Sequence, residues 1–289
     1  MRVTNEIRSV DRREGKGSEI KDLPLREAIL KLAVMCKSPL IDDLRSQIVD
    51  ERGQFPIYFM FHSQQLDSRG RVVATRPGTL SLEDEDAESA VRAEMYRRAI
   101  WFQELYAQGV ILPAIHQINL DHRIREQDLH EFVMHNPFVP PGHELIFARG
   151  LYAGLTGDFM VASALLVPQI ENSLRYILDQ HGVITSNLKS DGTQPDFLLG
   201  KLLFEVNELL QILGEDILFD LQGLLAHEFG SNLRNRFAHG MANAAEFLSL
   251  RAVYAWSLVL RLCSYPILAS METEKSEGAT STTLSVKQE

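Results

Sequence analysis

Cysteine is nearly absent from this 289-residue chain, with Cys36 and Cys263 the only two. They stand far apart and outside any paired-ligand spacing, which argues against a disulfide framework or a thiolate metal centre and leaves two small buried hydrophobes. Long apolar runs are lacking too. The longest, residues 162–167 and 252–260, fall well short of the roughly 20 residues that span a bilayer, and Ser257 interrupts the second. The first residues, with Asp11, Arg12, Arg13 and Glu14, contain no apolar stretch of the kind a signal peptide needs. A cytoplasmic protein without membrane attachment is the expectation. Basic charge is short: 29 Lys and Arg face 39 Asp and Glu, for a net charge of −10. The chain as a whole therefore repels phosphate backbones, and any nucleic-acid site has to be a local basic patch.

What is present is an ordinary globular composition, 45% hydrophobic and 24% charged, too apolar for a disordered chain. The length suits two modest domains. Residues 1–20 and 269–289 are polar and aperiodic and read as mobile or disordered tails. Between them, residues 21–137 read as a mainly helical N-terminal domain. Leu25, Ile29, Leu32 and Ala33 recur at helical spacing up to Ser38-Pro39, and a second helix is expected over 39–51. Ile57, Tyr58, Phe59 and Phe61, then Asp67-Ser68-Arg69-Gly70 and Val72-Val73, predict a β-hairpin over 55–75. The acidic run 83–88 suits a helix N-terminus, and Gly109 suits its end. Shorter helices are expected over 112–120 and 125–134.

The Pro- and Gly-rich stretch 136–142 reads as the boundary of a second domain, residues 138–268. Helices are expected there over 143–154, 158–180 with Pro168 inside, 198–213, 216–227 and 244–268. A loop or small hairpin is expected over 183–196. Trp101, Phe102, Tyr254 and Trp256 read as core aromatics rather than base-stacking platforms. The fold class expected is all-α, with an antiparallel helical bundle C-terminally and a small β-hairpin in the N-terminal region.

The densest chemistry lies in Ser231-Asn232-Leu233-Arg234-Asn235-Arg236-Phe237-Ala238-His239-Gly240. At about 100° per residue, Asn235 and His239 fall one helical turn apart, with Arg234 about 140° from His239. A guanidinium offers a rigid fork of donors for phosphate oxygens, an imidazole exchanges protons near neutral pH, and an amide orients either one. RNA cleavage needs no more, because its own 2′-hydroxyl is the nucleophile. His239 would act as base or acid, and Arg234 would stabilise charge on the phosphate. Capping is the alternative for the same residues, with His239 and Gly240 ending a helix and Asn235 bonding backbone. Bare Arg-x4-His spacing is weak, since Arg125 and His130 also satisfy it; only 234–240 adds Asn after Arg and Gly after His.

Arg234-Asn235-x3-His239 resembles the RNxxxH signature of HEPN ribonucleases, and Gly240 extends it to the RNxxxHG hallmark of a HEPN-related family of unknown function. That family includes the eukaryotic ER-membrane-associated RNA-degradation proteins. Pro168-Gln169-Ile170-Glu171-Asn172-Ser173-Leu174-Arg175 is similar to a Pro-x-x-Glu-x-x-x-Arg helix of the same family. The resemblance covers about 138–268. It implies a helical bundle that forms a homodimer with its motifs facing, RNA as substrate, no cofactor, and a role in RNA processing, stress response or phage defence. A non-catalytic interaction module, or a subunit paired with a protein activator, inhibitor or toxin, is the competing expectation.

Glu171 and Arg175 form an i,i+4 pair, read either as a surface staple or as support for His239. Arg236 is either an RNA contact or a solvated surface arginine. His227 is a second proton-transfer candidate, or a histidine at a helix end. His116, His122, His130 and His135 lack both ligand spacing and a cysteine, so no metal site is expected.

Overall fold

The computed structural model describes residues 19–66, 70–79 and 87–285, with side chains described to Met271. Residues 1–18 of the expected N-terminal tail, the hairpin tip 67–69 and most of the acidic run lie outside the described residues. The protein is mainly helical, with one two-stranded antiparallel sheet.

Helices α1 (Leu25–Met35) and α2 (Ile41–Gln54) form where helical spacing predicts them. Part of the predicted hairpin does not form a strand. Residues 56–60 make a short helix, α3 (Pro56–Met60), with Pro56 in its first turn, where a missing N–H leaves no bond unmade. Strands β1 (Ser63–Leu66) and β2 (Val72–Arg76) follow and pair antiparallel. The next helix, α4 (Ala87–Tyr106), does not stop at Gly109. It passes through a π-helical stretch, Ala107–Ile111, into α5 (Leu112–Asp121). Ala107, Val110 and Ile111 are buried in that stretch, and their burial outweighs the preference of glycine for a helix end.

The piece expected over 125–134 divides into a 3-10 turn, Glu126–Leu129, and α6 (His130–Val133). Beyond it come α7 (Glu144–Leu155) and α8 (Phe159–Gln180), the latter capped by Asp158 and continuous through Pro168. The segment 183–198 is a loop closed by one bridge, Ser186 to Asp196. The helix expected over 198–213 is two, α9 (Leu199–Glu205) and α10 (Glu208–Leu213), followed by α11 (Glu215–Leu225). The last helices are α12 (Leu233–Ala238), α13 (Ala244–Phe247) and α14 (Leu250–Ser285). The tail expected from 269 is therefore helical backbone as far as Ser285. Its Met, Glu, Lys and Ala residues favour helix intrinsically, without needing an apolar stripe.

The main apolar core draws on both sides of the expected boundary at 136–142, from Ile20 and α1 through Cys263. Its axis is α14, every residue of which from Ala252 to Leu260 is buried. A helix apolar on all sides belongs inside a bundle. The stretch Ala244–Met271 is also long and apolar enough to cross a membrane, which counting uninterrupted apolar runs does not reveal; 67% of its most apolar window is buried inside the protein. A second cluster lies under the hairpin, around Phe59, Met95, Tyr96, Phe219 and Phe229. Tyr254 and Trp256 are core aromatics as expected, whereas Trp101 is 60% exposed. Both cysteines are buried, and burial pushes the Cys36 thiol up to about 12.

One carboxylate sits in the core without an ion-pair partner. Asp220 of α11 is fully buried, accepting hydrogen bonds from the Tyr254 hydroxyl of α14 at 2.6 Å and the Gln103 amide of α4 at 2.8 Å. Ser38 bonds it as well, and Arg261 reaches Ser38 at 3.2 Å rather than the carboxylate. Burial therefore pushes the Asp220 carboxyl up from 3.8 to about 6. A carboxyl raised on folding contributes stability that is fully present below pH 3.8 and lost as pH rises through 6. The difference amounts to about 3 kcal/mol. Asp220→Asn removes that dependence while keeping the side-chain volume. In thermal or urea unfolding between pH 4 and 7, the variant is expected to gain on the wild type as pH rises, reaching about 3 kcal/mol above pH 6. A constant difference across that range would refute the assignment.

Candidate functional site

The approach to the motif is fixed backbone against backbone. The Ser231 N–H donates to the Gly223 carbonyl of α11 at 2.8 Å. A Cβ on Gly230 would lie 1.8 Å from that same carbonyl oxygen, so only glycine allows the contact. Asn232 then takes a left-handed conformation, φ 51°, which asparagine tolerates better than most residues. Its side-chain oxygen accepts from the Asn235 amide at 2.7 Å. Helix α12 follows, anchored inward by the buried Leu233.

At its other end His239 is the C-cap residue, its N–H donating to the Asn235 carbonyl at 3.1 Å. Gly240 turns left-handed, φ 63°, and Met241 donates back to the Arg236 carbonyl at 2.9 Å. The capping role expected for Gly240 is thus present. Arg236 is half-buried and paired: it grips Glu246 of α13 with two bonds of 2.6 and 2.7 Å and holds that carboxyl below its ordinary range. Phe237 stacks on Phe247, ring centres 4.2 Å apart, across the same pair of short helices.

Arg234 points inward to α8. Its Nε donates to Oε2 of Glu171 at 2.8 Å, its Nη2 lies 2.7 Å from the same oxygen in the ion pair, and its Nη1 reaches Asn235 Oδ1 at 3.3 Å. The other oxygen of Glu171 is taken by Arg175. Arg175 also donates to the Phe197 carbonyl from Nε and Nη2, at 3.1 and 2.8 Å. Glu171 and Arg175 are therefore more than a surface staple, since Glu171 is 6% exposed and shared with Arg234. Two guanidiniums against one carboxylate leave this cluster with a net charge of +1.

His239 is exposed, and among the described residues no hydrogen bond or ion pair engages its imidazole. Arg234, Asn235, Glu171 and Arg175 form one bonded cluster, which His239 joins through its backbone. The segment 183–198 that ends beside Arg175, and the carbonyl of Phe197 in particular, carried no sequence signal, because a main-chain acceptor has none.

His227 is placed for a structural task. Its ring stacks on Tyr96 at 3.9 Å, Nδ1 accepts from the Phe229 N–H at 3.2 Å, and burial pushes it down to about 4. It is neutral at pH 7. His122 reaches the Leu23 carbonyl at 2.8 Å, and among the described residues no group of three or more His, Cys, Asp or Glu is arranged to hold a metal ion. Two cavities, of about 470 and 370 Å³, lie beside α3 and the hairpin, and neither is lined by a motif residue.

No protein-family model, curated protein or solved structure matches this chain.

These contacts separate the motif residues by their effect on stability. Arg234→Ala strands one oxygen of a buried carboxylate and is expected to destabilise by about 1–3 kcal/mol. His239→Ala removes an exposed, unbonded ring and is expected to stay within about 0.5 kcal/mol of the wild type. Chemical denaturation of the two variants measures both, and equal losses would contradict the placement of His239.

Proposed function

We propose that the protein is a metal-independent endoribonuclease of the HEPN type, acting in the cytoplasm on RNA and working as a homodimer. The observation that carries this reading is the His239 imidazole, exposed and unbonded at the end of the same six-residue helix whose Arg234 is held by a buried carboxylate. An imidazole left free can exchange protons with a substrate, and a fixed guanidinium can stabilise charge that develops beside it.

In this mechanism the 2′-hydroxyl of a ribose attacks the adjacent phosphorus, the 5′-oxygen of the next nucleotide leaves, and a 2′,3′-cyclic phosphate and a free 5′-hydroxyl result. One proton leaves the 2′-oxygen and one joins the departing oxygen. His239 supplies one of these transfers, and a two-fold mate brings a second copy of the same histidine for the other. Asn235, bonded to both Arg234 and Asn232, orients the guanidinium. The local charge of +1 at the arginine cluster offsets, at short range, the chain's net −10.

A non-catalytic interaction module is the second reading. It is favoured by one observation: Nε and Nη2 of Arg234, the edge best suited to grip a phosphate, are committed to Glu171.

A digest of RNA in EDTA separates the two. The catalytic reading predicts cleavage by wild type, products ending in 2′,3′-cyclic phosphate, no cutting of DNA of the same sequence, and a loss of roughly 100-fold or more in His239→Ala. Undiminished cleavage by His239→Ala rejects the site. Absence of product from wild type, with a change of oligomeric state in His239→Ala, favours the interaction module.

A further inference from the structure

We infer that Glu171 is a positioning residue for Arg234, and that Arg175 restores the positive charge this positioning would otherwise cancel. The inference rests on the ribonuclease reading for its kinetic consequences and on the geometry alone for its structural ones.

Glu171 lies 63 residues before Arg234, in the middle of α8, whereas the motif helix is only six residues long. A helix that short cannot fix a long, rotamer-rich side chain by itself, and one carboxylate oxygen, bonded by Nε and paired with Nη2, holds the guanidinium from its side. Nη1 is left directed to Asn235, within the motif. A lone Glu–Arg pair would be neutral and would attract no phosphate. Arg175, one turn along α8, occupies the other carboxylate oxygen and is itself held by the Phe197 carbonyl, so the set keeps a charge of +1. Orientation and attraction are thereby assigned to different residues: Glu171 fixes the donor, and Arg175 maintains the field.

The two assignments predict opposite kinetic signatures. Glu171→Gln keeps the volume and one acceptor but removes the anion, raising the cluster charge to +2. Its kcat on RNA is expected to fall roughly 10- to 100-fold from loss of orientation, with KM unchanged or lower. Arg175→Gln brings the charge to zero, and KM is expected to rise with the smaller effect on kcat. A purely structural role for both would lower the fraction of active protein and leave KM untouched in both variants, and that outcome overturns the inference, as does wild-type kinetics in either.

A second measurement needs no turnover. In protein labelled with 15N-arginine, the Nε–H resonance of Arg234, identified by its absence in Arg234→Lys, is expected to exchange slowly in wild type and quickly in Glu171→Gln. Unchanged exchange overturns the positioning role even if RNA is cut. Changed exchange in a protein that cuts no RNA upholds it and removes the ribonuclease reading instead. Should Glu171→Gln fail to fold, Arg175→Gln decides alone: an unchanged KM for RNA, or unchanged affinity for RNA blocked by 2′-deoxy substitution, refutes the division of roles.

Discussion

A carboxylate cannot be taken into a helical bundle uncompensated, and that constraint on Glu171 organises the C-terminal half of this protein. Left alone, the charge would cost several kcal/mol; given one arginine it would be neutralised, with an oxygen still unsatisfied. Two arginines from different places meet it instead, Arg175 from its own helix and Arg234 from the short helix after the Gly230 contact. The motif helix is too short to persist unaided, so its place against α8 depends on that pair, on the buried Leu233 and on the Arg236–Glu246 bridge behind it. What was read as one catalytic stretch is, in space, a strut joining α8 to α13, with a single ring left outside.

Asp220 shows the other solution to the same problem. It is buried as deeply, but its donors are a hydroxyl, an amide and a serine, and the nearest guanidinium spends its bond on Ser38. Neutral donors satisfy lone pairs without opposing the charge, so the proton binds more tightly. His227 is displaced in the opposite sense by its burial and, less, by the like charge of Arg92. Folding therefore favours a proton on Asp220 and disfavours one on His227 over overlapping ranges of pH, and their contributions to stability slope in opposite directions.

Much of the helical pattern was legible because apolar spacing along α1, α7, α8 and α14 follows directly from the faces these helices bury. The two-strand hairpin was legible from its turn residues, while Pro56–Met60 was misread, since five apolar residues around an early proline satisfy either a strand or a helical turn. Gly109 misleads because its local preference gives no hint that Val110 and Ile111 beside it are buried in the main core. The proposed boundary at 136–142 is a true break in the helices but not in the apolar core, which no one-dimensional pattern distinguishes. In the site, the i,i+4 relation of Glu171 and Arg175 was visible, and its extension to Arg234 across 63 residues was not. Likewise Arg236 offered no hint of Glu246, because ion pairs formed by a turn between two short helices have no fixed spacing.

Capping and catalysis are alternatives for the motif as a sequence, and the geometry gives structural tasks to most of its residues. Gly240 and the backbone of His239 end the helix; Asn232 begins it; Arg234 anchors it; Arg236 braces it. Each of these tasks would account for retaining its own residue without any chemistry. The imidazole of His239 is the exception, since removing it would leave every bond in the site intact. A structural account therefore explains the arginine, the asparagines and the glycine and stops at the histidine. An exposed, unbonded ring one turn from an amide that touches a fixed guanidinium is what the ribonuclease proposal builds on.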